Sequence, residues 1–119
     1  MNLDSLVKEF ASCVVHQNEA IFRGDATASN EYARRYIAAF GKLRSSWGDE
    51  GRDALATLLV DHRADVRVMA AAYLLRHCKE RARAVLEAEA KGSGLIAFGA
   101  EQALKRWEEG TWALDLAGC

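Results

Sequence analysis

The window from Val66 to Leu75, VRVMAAAYLL, holds nine apolar residues in ten, with Arg67 the single interruption. A helix on a protein surface carries one apolar stripe and one polar face, so a helix apolar nearly all round has to be covered on several sides or present a face to a partner. That requirement puts it at the centre of whatever the chain folds into. The chain around it contains no proline, the strongest interrupter of helices, and is rich in Ala, Leu, Arg and Glu, which favour them. An all-helical chain is the expectation.

Leu3, Leu6, Val7, Phe10, Val14, Gln17 and Ile21 recur at intervals of three and four, while Asp4, Lys8, Glu9, Ser12, His16 and Glu19 fall opposite. They predict an amphipathic helix that stops near Gly24. Asp25 is a good N-cap for a second helix, whose apolar stripe is Tyr32, Tyr36, Phe40, Leu43 and Trp47. Arg34, Arg35, Lys42 and Ser45 point away from that stripe, and Gly48 supplies the stop. A short third helix is expected near 49–60, with Leu55, Leu58 and Leu59 on its apolar side, followed by the charged turn DHRAD and the apolar helix. Two more helices, near 79–91 and 94–109, are broken by KGSG. Residues 1–109 read as one helical domain and 110–119 as a tail.

A chain of 119 residues is long enough for one domain with a core that needs neither disulfides nor metals. Sixteen Lys and Arg against seventeen Asp and Glu leave a formal charge of -1, so no overall attraction to nucleic acid or membrane follows. Cys13, Cys78 and Cys119 are widely spaced, odd in number and free of any CxxC pattern, which favours reduced thiols in a cytoplasm over an exported disulfide framework. The opening MNLDSLVKEF carries acids early, unlike an export leader, and no uncharged stretch nears the roughly 20 residues of a membrane span. Neither export nor membrane insertion is expected.

The last helices look repeated. Laying DVRVMAAAYLL (65–75) over GLIAFGAEQAL (94–104) puts Val66 on Leu95, Ala70 on Gly99, Ala71 on Ala100 and Leu75 on Leu104. The helices before them match loosely, Leu58 and Leu59 with Val85 and Leu86. The unit is an antiparallel helix pair, which buries both faces only when a neighbour stacks on it. The stretch LATLLVDHRADVRVMAAAYLL resembles a HEAT repeat: an apolar helix, an Asp-containing turn, then Val-Arg, paired alanines and a leucine. Across Leu3 to Trp107 the chain also resembles a small bacterial group of HEAT-like proteins, the domain of unknown function 2019 family. The resemblance implies a short HEAT-like right-handed α-α superhelix of about six helices in three antiparallel pairs. It implies no catalytic residues, suggests that Arg67 pairs with aspartates of the turn, and links some relatives to immunity or partner binding.

Cys13 with His16, or His77 with Cys78, carry zinc-ligand atoms, but no second pair has ligand spacing and adjacent residues 77 and 78 diverge by about 100° on a helix. No metal and no cofactor are expected. A thiol nucleophile needs Cys, His and an acid to converge, which the linear sequence does not display. The glycines of KGSGLIAFG lack the GxGxxG spacing and a preceding strand, and read as a turn. Arg63, Arg67, Arg76, Lys79, Arg81 and Arg83 outnumber Asp61, Asp65 and Glu80, so a nucleic-acid surface from Arg63 to Arg83 is one alternative function. A small enzyme with an unrecognised site is another. The aromatic stripe Tyr32, Tyr36, Phe40 and Trp47 reads as core.

On a helical wheel the apolar helix keeps one narrow strip outside the core: Asp65, Met69, Ala72 and Arg76. The repeat offset carries that strip to Gly94, Phe98, Glu101 and Lys105, and the second helix offers Arg35, Ala38 and Lys42. Arg35, Met69, Arg76, Phe98, Glu101 and Lys105 are therefore the candidate partner-binding residues, an apolar centre with charge around it as protein recognition requires. A competing expectation is that the tail folds across the strip, with Trp112 and Leu114 covering Met69 and Phe98. The function expected is a non-catalytic protein-binding module, of immunity or regulatory type, that acts by occupying its partner.

Overall fold

The computed structural model describes residues 1–115, which form six α-helices and one short 3-10 turn, with no strand among the described residues. Cys119 and the rest of the expected tail at 116–119 lie outside them. The chain divides into two compact units, Met1–Thr57 and Leu58–Cys119. No helix among the described residues is long and apolar enough to cross a membrane.

The first unit starts with α1 (Leu3–Phe22), whose free amide groups are capped when Asn2 Oδ1 accepts the Ser5 N–H at 2.8 Å. Gly24, in the left-handed region at φ 75°, turns the chain, and Asp25 Oδ1 accepts the Ala28 N–H at 3.0 Å to start α2 (Ala26–Trp47). The expected cap is the observed one. The two helices run antiparallel, since Phe10 meets Tyr36 edge-on at 5.6 Å and His16, further along, stacks on the earlier Tyr32 at 5.1 Å. Gly48, at φ 56°, ends α2 as expected.

α3 (Asp49–Ala56) then crosses α2 so closely that a Cβ on buried Gly51 would fall on the Leu43 carbonyl. Only a glycine permits that approach. Leu6, Phe10, Cys13, Val14, Tyr36, Phe40, Leu43 and Leu55 form the core. Two expectations change here. Ile21, assigned to the apolar stripe, is exposed, and Tyr32 and Trp47 are half-buried, leaving Tyr36 and Phe40 as the buried part of the aromatic stripe. Cys13 is fully buried.

In place of a helix reaching residue 60, α3 tightens into a 3-10 turn at Thr57–Val60. The second unit continues with α4 (Ala64–Leu74), α5 (Lys79–Ala90) and α6 (Gly94–Glu109). α4 buries Asp65, Val66, Val68, Ala70, Ala71, Ala72, Tyr73 and Leu74. Both α5 and α6 pack on it and on each other, and Ala82, Leu86, Ala97 and Ala100 are buried. α5 runs antiparallel to α4, with Arg67 reaching Glu89, and to α6, with Arg83 reaching Glu108. Arg67 corrects an expectation: its Nη1 donates to the Asp61 backbone carbonyl at 2.8 Å and its Nη2 to Glu89 Oε1 at 2.6 Å. The aspartate side chain of the turn that holds an arginine is Asp65, bonded by Arg63 at 2.9 and 3.0 Å.

Gly110, left-handed at φ 77°, closes α6, and the Thr111 and Trp112 amides donate back to the Arg106 carbonyl. Residues 111–115 then run onto α4. Trp112 and Asp115 are buried, so this part of the expected tail belongs to the second unit.

Candidate functional site

The six candidates do not form one strip on one element. Arg35 stands on α2 in the first unit, Met69 on α4 and Arg76 just beyond its end, and Phe98, Glu101 and Lys105 on α6. Arg35 is held within its own unit. Its Nε and Nη2 donate to the two Glu9 carboxylate oxygens at 3.2 and 3.1 Å, and its guanidinium lies 5.6 Å from the Tyr32 ring centre. The Glu9 bond raises the Arg35 pKa. Behind the pair, burial pushes the Cys13 thiol up, the Glu9 charge adds to the rise and the Arg35 charge opposes it. Burial likewise raises the Tyr36 hydroxyl, against a hydrogen bond from Gln17.

The strip assigned to α4 is not open. Asp65 is buried against Arg63, Met69 is half-buried, and Ala72 lies beneath Trp112, whose Nε1–H donates to the Ala72 carbonyl at 2.7 Å. Ala72 sits in the last turn of α4, where carbonyls lack a helical N–H partner. Arg76 Nε donates to the Asp115 carbonyl at 2.7 Å, its guanidinium 5.6 Å from the Trp112 ring centre. The tail therefore covers Ala72 and engages Arg76, where it was expected over Met69 and Phe98.

On α6 the equivalent strip is open. Phe98 is 57 % exposed, and Glu101 and Lys105 are also exposed. The repeat register breaks here in an informative way. Ala71 and Ala100 are both fully buried, yet Val66 is 1 % exposed while Leu95 is 61 % exposed, and Ala70 is buried while Gly99 is not. α6 leaves bare the positions that α4 covers. Between α6 and residues 111–114 runs a groove of about 420 Å³, lined by Phe98, Gln102, Ala103, Trp112, Ala113 and Leu114 among others. Leu95, Trp112, Leu114 and Asp115 were absent from the candidate residues.

The structure is similar to the crystal structure of the protein RPA1889 from Rhodopseudomonas palustris CGA009. The TM-score is 0.87 at 26% sequence identity, over 95% of this chain and 93% of that one. No family model matches the chain, and no curated protein does. The likeness extends over nearly the whole of both chains, so the helices that carry the candidate residues fall within a fold that has been solved elsewhere.

The remaining candidates are dispersed. Of the basic stretch, Arg63 is paired with Asp65, Arg67 with Glu89, Arg76 with the Asp115 carbonyl, and Arg83 with Glu87 and Glu108. Lys79 and Arg81 are exposed. Cys13 faces the core while His16 faces outward, bonded to Glu19 at 3.1 Å. Among the described residues no three His, Cys, Asp or Glu side chains are grouped to hold a metal ion. Gly92 and Ser93 turn the chain between α5 and α6, and Gly94 takes φ 89°.

Proposed function

We propose that this chain is a non-catalytic protein-binding module, a HEAT-like right-handed stack of three antiparallel helix pairs that acts in the cytoplasm by covering its partner. The observation that carries the reading is the uncovered apolar face of α6. Leu95 stands exposed where its counterpart Val66 is packed away and Phe98 where Met69 is half-buried, with Leu114 at the rim of the adjoining groove and Glu101 and Lys105 on the flank. Exposed aromatic and aliphatic anchors ringed by charge are the composition of protein-recognition surfaces. An immunity or regulatory role, in which occupancy alone silences or scaffolds the partner, rests on the resemblance to HEAT-like proteins. Arg35 and Arg76 take no part in this contact, since each is committed to groups of its own unit.

The test is affinity capture with tagged wild-type protein, Phe98→Asp and Arg35→Ala, each first shown by circular dichroism to keep the wild-type helix content. A specific partner retained by wild type and Arg35→Ala but lost by Phe98→Asp is expected. Equal retention of the same partners by all three proteins sinks the reading.

A further inference from the structure

We infer that the end of α4 is a receptor for a short, tryptophan-bearing peptide segment, which residues 111–115 fill in cis and a partner segment of the same chemistry would fill by displacing them. The site has two polar elements of matched type. The Ala72 carbonyl, left without a helical partner in the last turn of α4, accepts the Trp112 Nε1–H at 2.7 Å. Four residues beyond Ala72, Arg76 donates through Nε to the main-chain carbonyl of Asp115 at 2.7 Å. An indole is recognised by its N–H at one end, and the backbone three residues later is recognised at the other.

The ring itself is held on two sides, by the Arg76 guanidinium 5.6 Å from its centre and by Trp107, whose ring meets it edge-on at 5.2 Å. A cation over an indole face and an aromatic edge beside it are both favourable contacts. What binds the segment is therefore an indole N–H, an indole face and a main-chain carbonyl, and the Asp115 side chain is buried as well. The segment is joined to α6 through Gly110, whose left-handed backbone makes a reversal of direction immediately before it. The face of α4 is thus filled by a short linear piece of chain and not by a packed helix. A ligand on a short tether benefits from an effective concentration in the millimolar range, so a modest intrinsic affinity suffices to hold it. Displacement then requires a partner segment that offers the same indole and carbonyl with further contacts of its own. This inference concerns the end of α4; the segment it displaces also carries Trp112 and Leu114 of the groove beside α6, and Phe98→Asp tests the α6 contact separately.

A fluorescently labelled, end-blocked peptide with the sequence of residues 110–115, GTWALD, is titrated against the full-length wild type and full-length Trp112→Ala. Because the tethered segment competes in the wild type, the peptide binds Trp112→Ala about tenfold more tightly or better. A peptide with alanine in place of its tryptophan binds neither protein. Absence of binding to a Trp112→Ala protein of wild-type helix content, or equal binding to both proteins, overturns the inference. Should Trp112→Ala lose its helix content, Trp112→Phe replaces it, since it keeps an aromatic ring while removing the N–H bonded to Ala72; it binds the peptide more tightly than wild type if the receptor exists and equally if it does not. Hydrogen exchange on the wild type decides independently. The Trp112 indole N–H, bonded to the Ala72 carbonyl, exchanges at least about tenfold faster than the amides of Tyr73 and Leu74 if the segment leaves α4 by local opening. Equal rates mean that it leaves only when the unit unfolds, and overturn the inference.

Discussion

The two units solve the same problem in opposite ways. In the first, α1 and α2 are amphipathic, each begins at a side-chain cap, and their apolar faces meet through Phe10, Tyr36, Phe40 and Leu43. In the second, α4, α5 and α6 begin without any side-chain cap bond, and α4 is buried over most of its circumference. Ion pairs and a returning segment do there what caps and a single stripe do in the first unit: Arg67 ties the turn to Glu89, and Trp112 and Arg76 close the end of α4. Helices specified by their own residues make a pair; a helix apolar on all sides is specified only by what surrounds it.

The contrast is sharpest for core truncations. Phe10→Ala in the first unit costs about 3–5 kcal/mol and Leu74→Ala in the second about 2–5 kcal/mol, measured by urea unfolding. Hydrogen exchange localises each loss, and the comparison breaks if either variant deprotects the amides of both units equally.

Glycine substitutions come next. Gly51→Ala forces a methyl group onto the Leu43 carbonyl between α2 and α3, and overpacking of this kind costs about 1–3 kcal/mol or more. Gly99→Ala in α6 and Gly41→Ala in α2 meet nothing within 4 Å, so each stabilises by about 0.5–1 kcal/mol through the better helix propensity of alanine. Thermal melts of the three variants read the sign directly. A Gly51→Ala protein as stable as wild type would show that α3 does not approach α2 this closely.

The two arginines separate the units at a smaller scale. Arg76→Ala removes a charged donor from a main-chain carbonyl and a cation from an indole face, at a cost of about 1–3 kcal/mol. Arg35→Ala removes an exposed ion pair with Glu9, a smaller loss that fades as salt is added. Melts at low and high ionic strength distinguish them, and an Arg35 effect equal to that of Arg76 and indifferent to salt would contradict the assignment.

The smallest effect is alkaline. Cys13 and Tyr36, both in the first unit, have pKa values raised above their ordinary 9.0 and 10.0 by burial. A group with a raised folded pKa contributes stability that is complete below its ordinary pKa and is lost as pH rises through the folded one. The first unit therefore weakens above pH 9.0, and Cys13→Ala removes part of that weakening. Melts followed across alkaline pH that are unchanged by Cys13→Ala would argue against a buried thiol.

Much of the helix layout was legible because its signals are local. Asp25, Gly48 and the spacing of Phe10, Tyr36 and Phe40 act within a turn or two of their own position, and the helix at 94–109 is observed with the expected ends. The break at Thr57 was not legible, since nothing in TLLV distinguishes a 3-10 turn from the last turn of an α-helix. The candidate site was read less well. A wheel identifies which residues share a face, and it correctly left Phe98, Glu101 and Lys105 outside the core. It carries no information on what crosses that face, so Ala72 and Arg76 were assigned to an open strip that Trp112 and Asp115 occupy. The repeat offset failed at Leu95, exposed where Val66 is buried, for a related reason: equivalence in sequence predicts equivalent burial only where equivalent neighbours pack on both copies.

By itself, the sequence determined that the chain is helical, where most of its helices begin and end, and that Val66 to Leu75 has to be enclosed. These follow from propensity, capping and periodicity, which act through bonds and contacts a few residues apart. Only the tertiary structure decided that α3 crosses α2 at Gly51, that Arg67 spans from the Asp61 carbonyl to Glu89, that Trp112 closes α4, and that the face of α6 bearing Leu95 and Phe98 stays bare. Each of these depends on which distant segment arrives at a given surface, and that is settled by how the apolar faces of whole helices pack together.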